Sequence, residues 1–378
     1  MTRRSLRLAA ILLVLAACGS PPGSDREPAR GLGAATRQTG RALERISREL
    51  DGLDPEARRA RLIELAEEEG GTVNAYGSTN LDDMGALIDA FEDATGITVN
   101  YYRANSEDVL QRLVEEADAG FRGADLVNTN GPELTLLDRE GLLAEVDTPV
   151  TADLPPEGDL GTWFWFYINT FTAAWNTDRV SAAEAPTSWE EVLSDHAGGL
   201  AFEAGDVDWF ATLVKGYFMA EKGMREEEAV ALFTDAAAGA RAVDGHTLMA
   251  ELLTAGEFDV AASAYLHRIV RLQRDGAPVT WEPAVEPLLV RPSGAAVHAA
   301  AEHPAAAMLL LEFLLTDAQP MLLDFDRQPV NETVEGGGLP PGVETIDVDV
   351  EAIVNEFDKW SDLYEQVIMA TGGEVIED

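Results

Sequence analysis

From Thr72 onward the sequence alternates between two hydrophobic periods, and this alternation limits the possible folds more than any other feature. The segments TVNAY, ITVNYY and ADLVNT have the composition and spacing of short strands. Between the first two we expect a helix that ends near Gly96, with one apolar stripe formed by Leu81, Met84, Leu87, Ile88 and Phe91. Strands and helices that alternate with short connections predict a parallel sheet with right-handed crossovers.

The same alternation returns after residue 190 and predicts a second α/β unit. GLAFE and FDVAAS are predicted strands, and helices are predicted over 209–222, 226–237 and 247–253. The aromatic strand TWFWFYIN and the extended segments APVTWEP and PLLVRP are the expected crossings between the two units. We therefore predict two α/β lobes joined by a two-strand hinge, with lobe 1 formed by 72–162 and 282–325, and lobe 2 by 163–281 and 326–378.

The N-terminal residues have the plan of an export signal. Three arginines precede an uncharged run, Leu8 to Ala17, that is too short to span a bilayer, and small residues follow. The sequence LAAC resembles the bacterial lipobox, which implies a signal peptide over 1–17 and a lipid attached to Cys18. An ordinary cleaved signal with a chance cysteine is the alternative. Residues 18–33 then read as a flexible tether, and 34–71 as two short amphipathic helices with a break at Asp54-Pro55.

Charge is spread unevenly along the chain. Residues 1–61 hold 12 arginines and 7 acidic residues, whereas the rest of the chain holds 15 basic and 61 acidic residues. A body this acidic lacks the basic face that grips a phosphate backbone, so we expect no nucleic-acid partner. Cys18 is the single cysteine. An exported chain without other thiols cannot mispair, and its stability must come from a hydrophobic core.

Several segments, in order, resemble one known family. They include VNAYGSTNLDDMGALIDAFEDATG, ADLVNTNGPELTLLDREGLLAEV, PTSWEEVLSDHAGGLAFE and LLTAGEFDVAASAYLHR, within about residues 62–335. The chain is similar to the extracellular solute-binding proteins of ABC importers, in the branch that takes ferric ion or polyamines. The resemblance implies a type II periplasmic-binding-protein fold, a monomer outside the cytoplasm, no cofactor and no catalysis. It also implies delivery of a small ligand to a membrane permease and its ATPase, with the lipid as membrane anchor.

Polar side chains follow the predicted strands of lobe 1. Ligands in α/β sheets bind beyond the carboxyl ends of the strands, where loops lead into helix N-termini. Each residue alone reads equally well as a cap or a turn, with Ser106 expected as the N-cap of its helix. As a set on one sheet edge they are predicted ligand contacts: Tyr76, Ser78, Thr79, Asn80, Ser106, Thr129 and Asn130.

In lobe 2 the segment EAGDVDWF is the most informative. Asp206 and Asp208 precede a helix led by Trp209. Two carboxylates beside an aromatic ring suit an ammonium group through charge pairing and cation–π contact, which favours a cationic or zwitterionic organic ligand, for example one like a polyamine, an aminophosphonate or thiamine. The alternative is that one of the two aspartates is only an N-cap.

The ferric branch of the family typically holds iron through a histidine, a glutamate and two adjacent tyrosines. The corresponding positions here are Asn80, Thr129 and the segment YLH, with Tyr265 and His267. Ferric ion prefers anionic oxygen ligands, so this set argues against naked ferric ion while leaving a ferric chelate open. The five histidines show no paired metal-binding spacing, and we expect no metal site. An exported enzyme or a sensor module on the same fold remains the alternative from another class.

Overall fold

The computed structural model describes residues 32–377. The signal peptide, Cys18 and the tether up to residue 31 lie outside the described residues. The helices are α1 (Gly33–Leu50), α2 (Pro55–Glu68), α3 (Leu81–Thr95), α4 (Ser106–Ala119), α5 (Gly131–Arg139), α6 (Trp189–Ser194), α7 (Val207–Thr212, continued by a π-helical stretch Leu213–Glu221), α8 (Glu226–Ala237), α9 (His246–Ala255), α10 (Leu266–Arg274), α11 (Pro304–Leu315), α12 (Ala318–Met321), α13 (Val350–Asn355) and α14 (Phe357–Ala370).

The strands belong to one mixed sheet. They are β1 (Thr72–Gly77), β2 (Thr98–Arg103), β3 (Leu126–Asn130), β4 (Phe164–Asn176), β5 (Leu200–Glu203), β6 (Arg241–Val243), β7 (Val260–Tyr265), β8 (Val279–Thr280), β9 (Leu288–Val297), β10 (Gln328–Pro329), β11 (Thr345–Asp347) and β12 (Val375–Ile376). Their order is β12-β6-β5-β7-β4-β9-β3-β1-β2, and β8 and β10 also pair with β4 and β11 with β9.

The two longest strands lie at the centre of this sheet and join its halves. β4 and β9 pair with each other in antiparallel register, from Phe164 opposite Ala295 to Phe171 opposite Leu289. β9 continues into the parallel set β3-β1-β2, and β4 continues into the parallel set β7-β5-β6. The predicted α/β class, with parallel strands on each side of a two-strand connection, is confirmed; β4 is simply longer than TWFWFYIN alone.

Each half buries its own core. In the first, the apolar stripe of α3 and the uniformly buried α11 cover the sheet. In the second, aromatic residues of α7 and α14 do so. The predicted helices in 34–71 are α1 and α2, and both share the core of the first half rather than standing apart. α2 is held there by Arg58, whose guanidinium contacts the carboxylate of Glu312 on α11 at 2.6 Å in a buried ion pair.

Helix starts differ by one or two residues from the prediction in two places that matter. α4 begins at Ser106, and Asn105 with its extended backbone takes the N-cap position, so the expected cap at Ser106 is wrong. The hydroxyl of Ser106 accepts a hydrogen bond from Asn130 instead. α7 begins at Val207, which places Trp209 within its first turn.

Within residues 32–377, no single helix is long and apolar enough to cross a membrane. One bent pair, Pro304–Leu315 with Ala318–Phe325, meets the length and composition criteria, and every residue of its first helix is buried in the core.

Candidate functional site

The loops at the carboxyl ends of the strands from both halves face one another across a cleft. Its cavity has a volume of about 70 Å³. Of the residues predicted from the sequence, those that line it are Ser78, Asn80, Ser106, Asn130, Asp206, Tyr265 and His267. The strand-end rule thus brought together residues that lie far apart in the sequence.

The wall from the first half consists largely of neutral polar groups that bind each other. The amide of Asn130 donates to the hydroxyl of Ser106 at 2.5 Å and accepts from Asn169 at 3.3 Å. Asn80 caps α3 by accepting from the backbone N–H of Asp83 at 2.9 Å. Ser78 shares a hydrogen bond with the hydroxyl of Thr129 at 3.1 Å. This wall is a preformed hydrogen-bonding surface with little net charge.

Three of the predicted residues in this half lie behind the wall. Tyr76 points to the other side of the sheet, where its hydroxyl contacts Glu116 at 3.2 Å. Thr129 is fully buried under Ser78. Thr79 is buried as well, and its hydroxyl lies 2.9 Å from that of Tyr167, which does line the cavity. Successive side chains of a strand point to opposite faces of the sheet, and this alternation explains why the side chain of Tyr76 lies on the face away from the wall.

The wall from the second half carries a buried acidic cluster. Glu203 ends β5, Asp206 follows three residues later, and His246 begins α9. The carboxylate of Glu203 accepts from the backbone N–H groups of Gly205 at 2.8 Å and Gly245 at 2.9 Å, which ties the two loops together. The Nε2 atom of His246 lies 3.1 Å from a carboxylate oxygen of Asp206.

The protonation of this cluster is shifted by burial. Burial, together with the neighbouring Asp206, raises the pKa of Glu203 to about 8. Burial also raises the pKa of Asp206 well above its usual range, although Arg291 opposes the shift. His246 is held neutral, because burial lowers its pKa to about 4 in spite of Glu203. Two carboxyl groups in one small volume therefore lack enough positive charge to ionise together.

Asp208 and Trp209 occupy other surroundings than the sequence suggested. Asp208 forms a buried ion pair with Arg291 of β9, at 2.8 and 3.0 Å from one guanidinium nitrogen. Trp209 is fully buried and packs edge-on against Trp189 and Phe233. The earlier start of α7 turns the indole toward the core of its lobe, so neither residue lines the cavity.

Aromatic rings stack beside the acidic cluster. The ring of Tyr265 lies parallel to that of His246 at 3.6 Å and near that of His267 at 5.6 Å. The hydroxyl of Tyr265 accepts a hydrogen bond from Arg291. Burial and the guanidinium groups of Arg327 and Arg268 hold the pKa of His267 well below its usual range, so it too is neutral.

A second ion-pair network reaches the cavity through Arg327, which is part of its lining. Asp83 of α3 is 1% exposed at its side chain and binds Arg327 at 2.7 Å and Arg271 of α10 at 3.0 Å. Arg327 also donates to Asn169 and lies over the ring of Tyr167 at 4.4 Å. This network links the two halves directly, because α3 and α10 belong to different halves of the sheet.

A groove of about 520 Å³ adjoins the cavity and shares part of its lining, including Arg103, Asn105 and Arg268. The guanidinium of Arg268 has only a distant carboxylate, that of Glu251 at 3.9 Å, and its buried Nε atom has no hydrogen-bond partner. The groove is also lined by the carboxylates of Asp82, Asp108, Asp244 and Glu377, so its overall lining is acidic and Arg268 is a local positive group within it.

Sequence reasoning missed several charged residues of the cleft. Glu203 and His246 stand at a strand end and a helix start, so the same rule that selected Ser78 could have found them. Arg291 and Arg327 had no such signal, because the first lies within a central strand and the second follows α12 in an irregular segment. Their placement depends on how distant segments meet.

Comparisons with known proteins agree with this architecture. A family model described as bacterial extracellular solute-binding protein matches residues 86–334. Iron-bound HitA from Pseudomonas aeruginosa has 22% sequence identity and a TM-score of 0.63 over 78% of this chain and 99% of that one. AfuA from Actinobacillus pleuropneumoniae, solved with fructose-6-phosphate, has 17% identity and a TM-score of 0.68 over 80% and 98%.

A third solved structure is the substrate-binding protein of an ABC transporter from Agrobacterium tumefaciens, with 17% identity and a TM-score of 0.68 over 79% of this chain and 94% of that one. Among curated proteins, none has a sequence that matches this chain significantly. The fold is therefore that of the type II periplasmic binding proteins. Because the family model spans well over half of the sequence, the chain belongs to the bacterial extracellular solute-binding protein family.

Proposed function

We propose that this protein captures a small organic solute with a positively charged group in the cleft and delivers it to the permease of an ABC importer. Import is supported by the family and by the similar fold of the Agrobacterium transporter protein. The observation that carries the choice of solute is the pair Glu203 and Asp206, which lies at the cavity and, within residues 32–377, forms no ion pair with an arginine or a lysine.

The two arginines near this pair already form ion pairs with other carboxylates. Arg291 is paired with Asp208, and Arg327 is paired with Asp83. Glu107 of α4 adds a further carboxylate to the lining of the cavity. This carboxylate lies against Gly205, because a Cβ atom placed on Gly205 would be 2.5 Å from one of the Glu107 carboxylate oxygens. A buried carboxyl group without a counter-charge holds a proton at neutral pH, and a cation can take the place of that proton.

Although Asp82, Asp108, Asp244 and Glu377 also line the adjoining groove, its two arginines offer a place for a negative group at the other end of the solute. Arg103 and Arg268 line it, and the buried Nε atom of Arg268 lacks a partner. A zwitterion could place its cationic group at Asp206 and its anionic group at these guanidinium groups. Aminophosphonate-like solutes fit both ends, whereas polyamine-like and thiamine-like solutes use only the cationic end.

Attachment to the membrane belongs to the same proposal. The sequence LAAC supports a lipid on Cys18, and several acyl chains hold a protein stably where a single one does not. We expect a monomer that works outside the cytoplasm, close to its permease, and that carries out no catalysis.

A thermal-shift screen of the chain from residue 19 tests the solute class. The set should contain polyamines, quaternary amines, aminophosphonates, thiamine, ferric chelates and sugar phosphates. A ligand at 100 times its Kd adds roughly 2.7 kcal/mol to the stability of the folded state. We expect a cationic or zwitterionic compound to raise the Tm, and Asp206→Asn to abolish that rise.

The matched control is Asp235→Asn, the same chemical change at an exposed position of α8. It should leave the Tm rise intact. Stabilisation by sugar phosphates alone, unchanged in Asp206→Asn, would refute the cationic solute while leaving the import function standing.

Metal binding is a second candidate, favoured by one observation. Glu203, Asp206 and His246 can each direct one ligand atom so that all three atoms lie within 4.8 Å of one another. Two carboxylates and an imidazole are a plausible set for a first-row transition metal, although the sequence predicted no metal site. His246→Gln separates the two candidates: it should remove metal binding and leave binding of an organic cation at Asp206 largely unchanged.

A further inference from the structure

Helix α1 carries a row of exposed arginines in a chain with a net charge of −41. The row consists of Arg37, Arg41, Arg45 and Arg48. At 100° per residue these four positions fall within about 80° of the helix circumference. They therefore form one basic stripe along α1, with the exposed Glu44 at its edge.

The opposite side of the same helix holds it on the protein. Its buried residues are Thr39, Leu43, Ile46 and Leu50, which pack into the core of lobe 1. The centre of this buried face lies roughly opposite the basic stripe on the helical circumference. The docking of α1 thus fixes the stripe to point outward.

The arginines of the stripe lack ion pairs within residues 32–377, and Arg48 contacts only the backbone carbonyl of Glu44. The arginines of the neighbouring α2 behave differently. Arg58, Arg59 and Arg61 each contact a carboxylate of the protein. In a chain where acidic residues outnumber basic ones 68 to 27, a set of four arginines without carboxylate partners among residues 32–377 leaves their charge available for an external anion.

We propose that the basic stripe of α1 docks on an anionic lipid surface. Charge complementarity supplies the attraction, and it acts only within a Debye length of roughly 8 Å. The four arginines therefore act against the few carboxylates beside them, Glu44, Glu145 and Asp147, and not against the whole acidic body. The position of the stripe fits as well. Only 14 residues separate Cys18 from Gly33 at the start of α1, a span of at most roughly 50 Å when fully extended.

The docking would set the orientation of the protein on its membrane, beyond the tethering that a lipid alone provides. A tether keeps a protein near the surface at high effective concentration, so even a weak electrostatic contact is populated. The proposal does not depend on which solute binds in the cleft.

Co-sedimentation with vesicles tests the stripe. The protein is residues 18–378 with Cys18→Ser, so that no lipid contributes, and the vesicles contain either pure phosphatidylcholine or 30% phosphatidylglycerol. We expect at least tenfold stronger partitioning onto the anionic vesicles at 50 mM salt, and loss of that preference at 500 mM. The variant Arg37→Gln/Arg41→Gln/Arg45→Gln/Arg48→Gln should lose it at 50 mM.

A matched control replaces four exposed arginines of the other lobe, Arg179→Gln/Arg225→Gln/Arg241→Gln/Arg274→Gln. It has the same net charge as the stripe variant and should partition like the parent protein. Equal partitioning of both variants, or no preference of the parent for anionic vesicles, would overturn the proposal. An unchanged Tm of the stripe variant would show that α1 is still folded.

Discussion

Two buried groups of ionisable residues at the junction of the lobes differ in one respect. Asp83 faces Arg327 and Arg271, whereas Glu203 and Asp206 face each other and a neutral His246. Burial alone would raise the pKa of Asp83, but the two guanidinium groups hold it below its usual range. In the other group burial prevails, and the pKa values of Glu203 and Asp206 are raised.

The difference teaches that burial does not by itself define a binding site. A buried carboxylate with two charge partners is part of the framework, since its charge is already balanced. A buried carboxyl pair without such a partner can be stabilised by a bound cation, and in this molecule the pair lies at a cavity. Substitutions of the aspartates in each group test this difference directly.

The largest effect is expected for Asp83→Asn. It would leave the buried Arg327 and the half-buried Arg271 without this counter-charge, and breaking a buried pair in this way costs about 3–5 kcal/mol of unfolding free energy. Urea denaturation measures the loss. A cost below about 1 kcal/mol would show that the arginines find other partners and that Asp83 is not a framework residue.

A smaller effect, but a sharper contrast, is expected between two aspartates only two positions apart. Asp208→Asn uncouples Arg291 and should cost about 3 kcal/mol, because Arg291 stays buried. Asp206→Asn should change the stability of the ligand-free protein by less than about 1 kcal/mol, since burial raises the pKa of Asp206 and so favours its neutral form, which an amide resembles. Denaturation midpoints of both variants at pH 7 decide this, and equal losses would contradict the comparison.

The smallest expected effect is a dependence on pH. As the pH rises, the unfolding free energy should fall and the affinity for a cationic solute should increase. Folded Glu203 keeps its proton up to about pH 8, whereas the unfolded chain releases it near its ordinary pKa. Stability therefore falls as the pH rises toward 8. His246 has the opposite effect on the unfolding free energy, because its pKa in the folded protein is lowered to about 4. This effect is confined to pH values below about 6.5, where the imidazole of the unfolded chain is protonated.

Between pH 6.5 and 8 the opposing effect of His246 is absent, so Glu203 should lower the unfolding free energy of the ligand-free protein by up to about 1.4 kcal/mol per pH unit. Glu107 and Asp206, whose pKa values burial also raises, add to this loss. Affinity for a cationic solute should rise over the same window, by up to about tenfold per unit for each proton displaced. Calorimetry in buffers of different ionisation enthalpy would detect the released proton. Glu203→Gln should make both dependences less steep, and slopes that this change leaves unaltered would place the titrating proton elsewhere.

Much of the fold could be predicted from the sequence because it rests on local patterns. The stripe from Leu81 to Phe91 and the αL glycine at Gly96 define α3, and the bounds predicted for α8 match the structure. The candidate cleft residues Ser78, Asn80 and Asn130 followed from the rule that strand ends share one edge. Such features depend on hydrogen bonds and side-chain periods within a few residues.

The sequence by itself determined the α/β class, the two-lobed order of elements and the edge where a solute would bind. Only the tertiary structure decided which charges at that edge are balanced. Arg291 and Arg327 reach Asp208 and Asp83 across 83 and 244 residues of sequence, respectively. The pKa of a buried carboxyl group depends on charges within a few ångströms, and such distances exist only once the chain has folded.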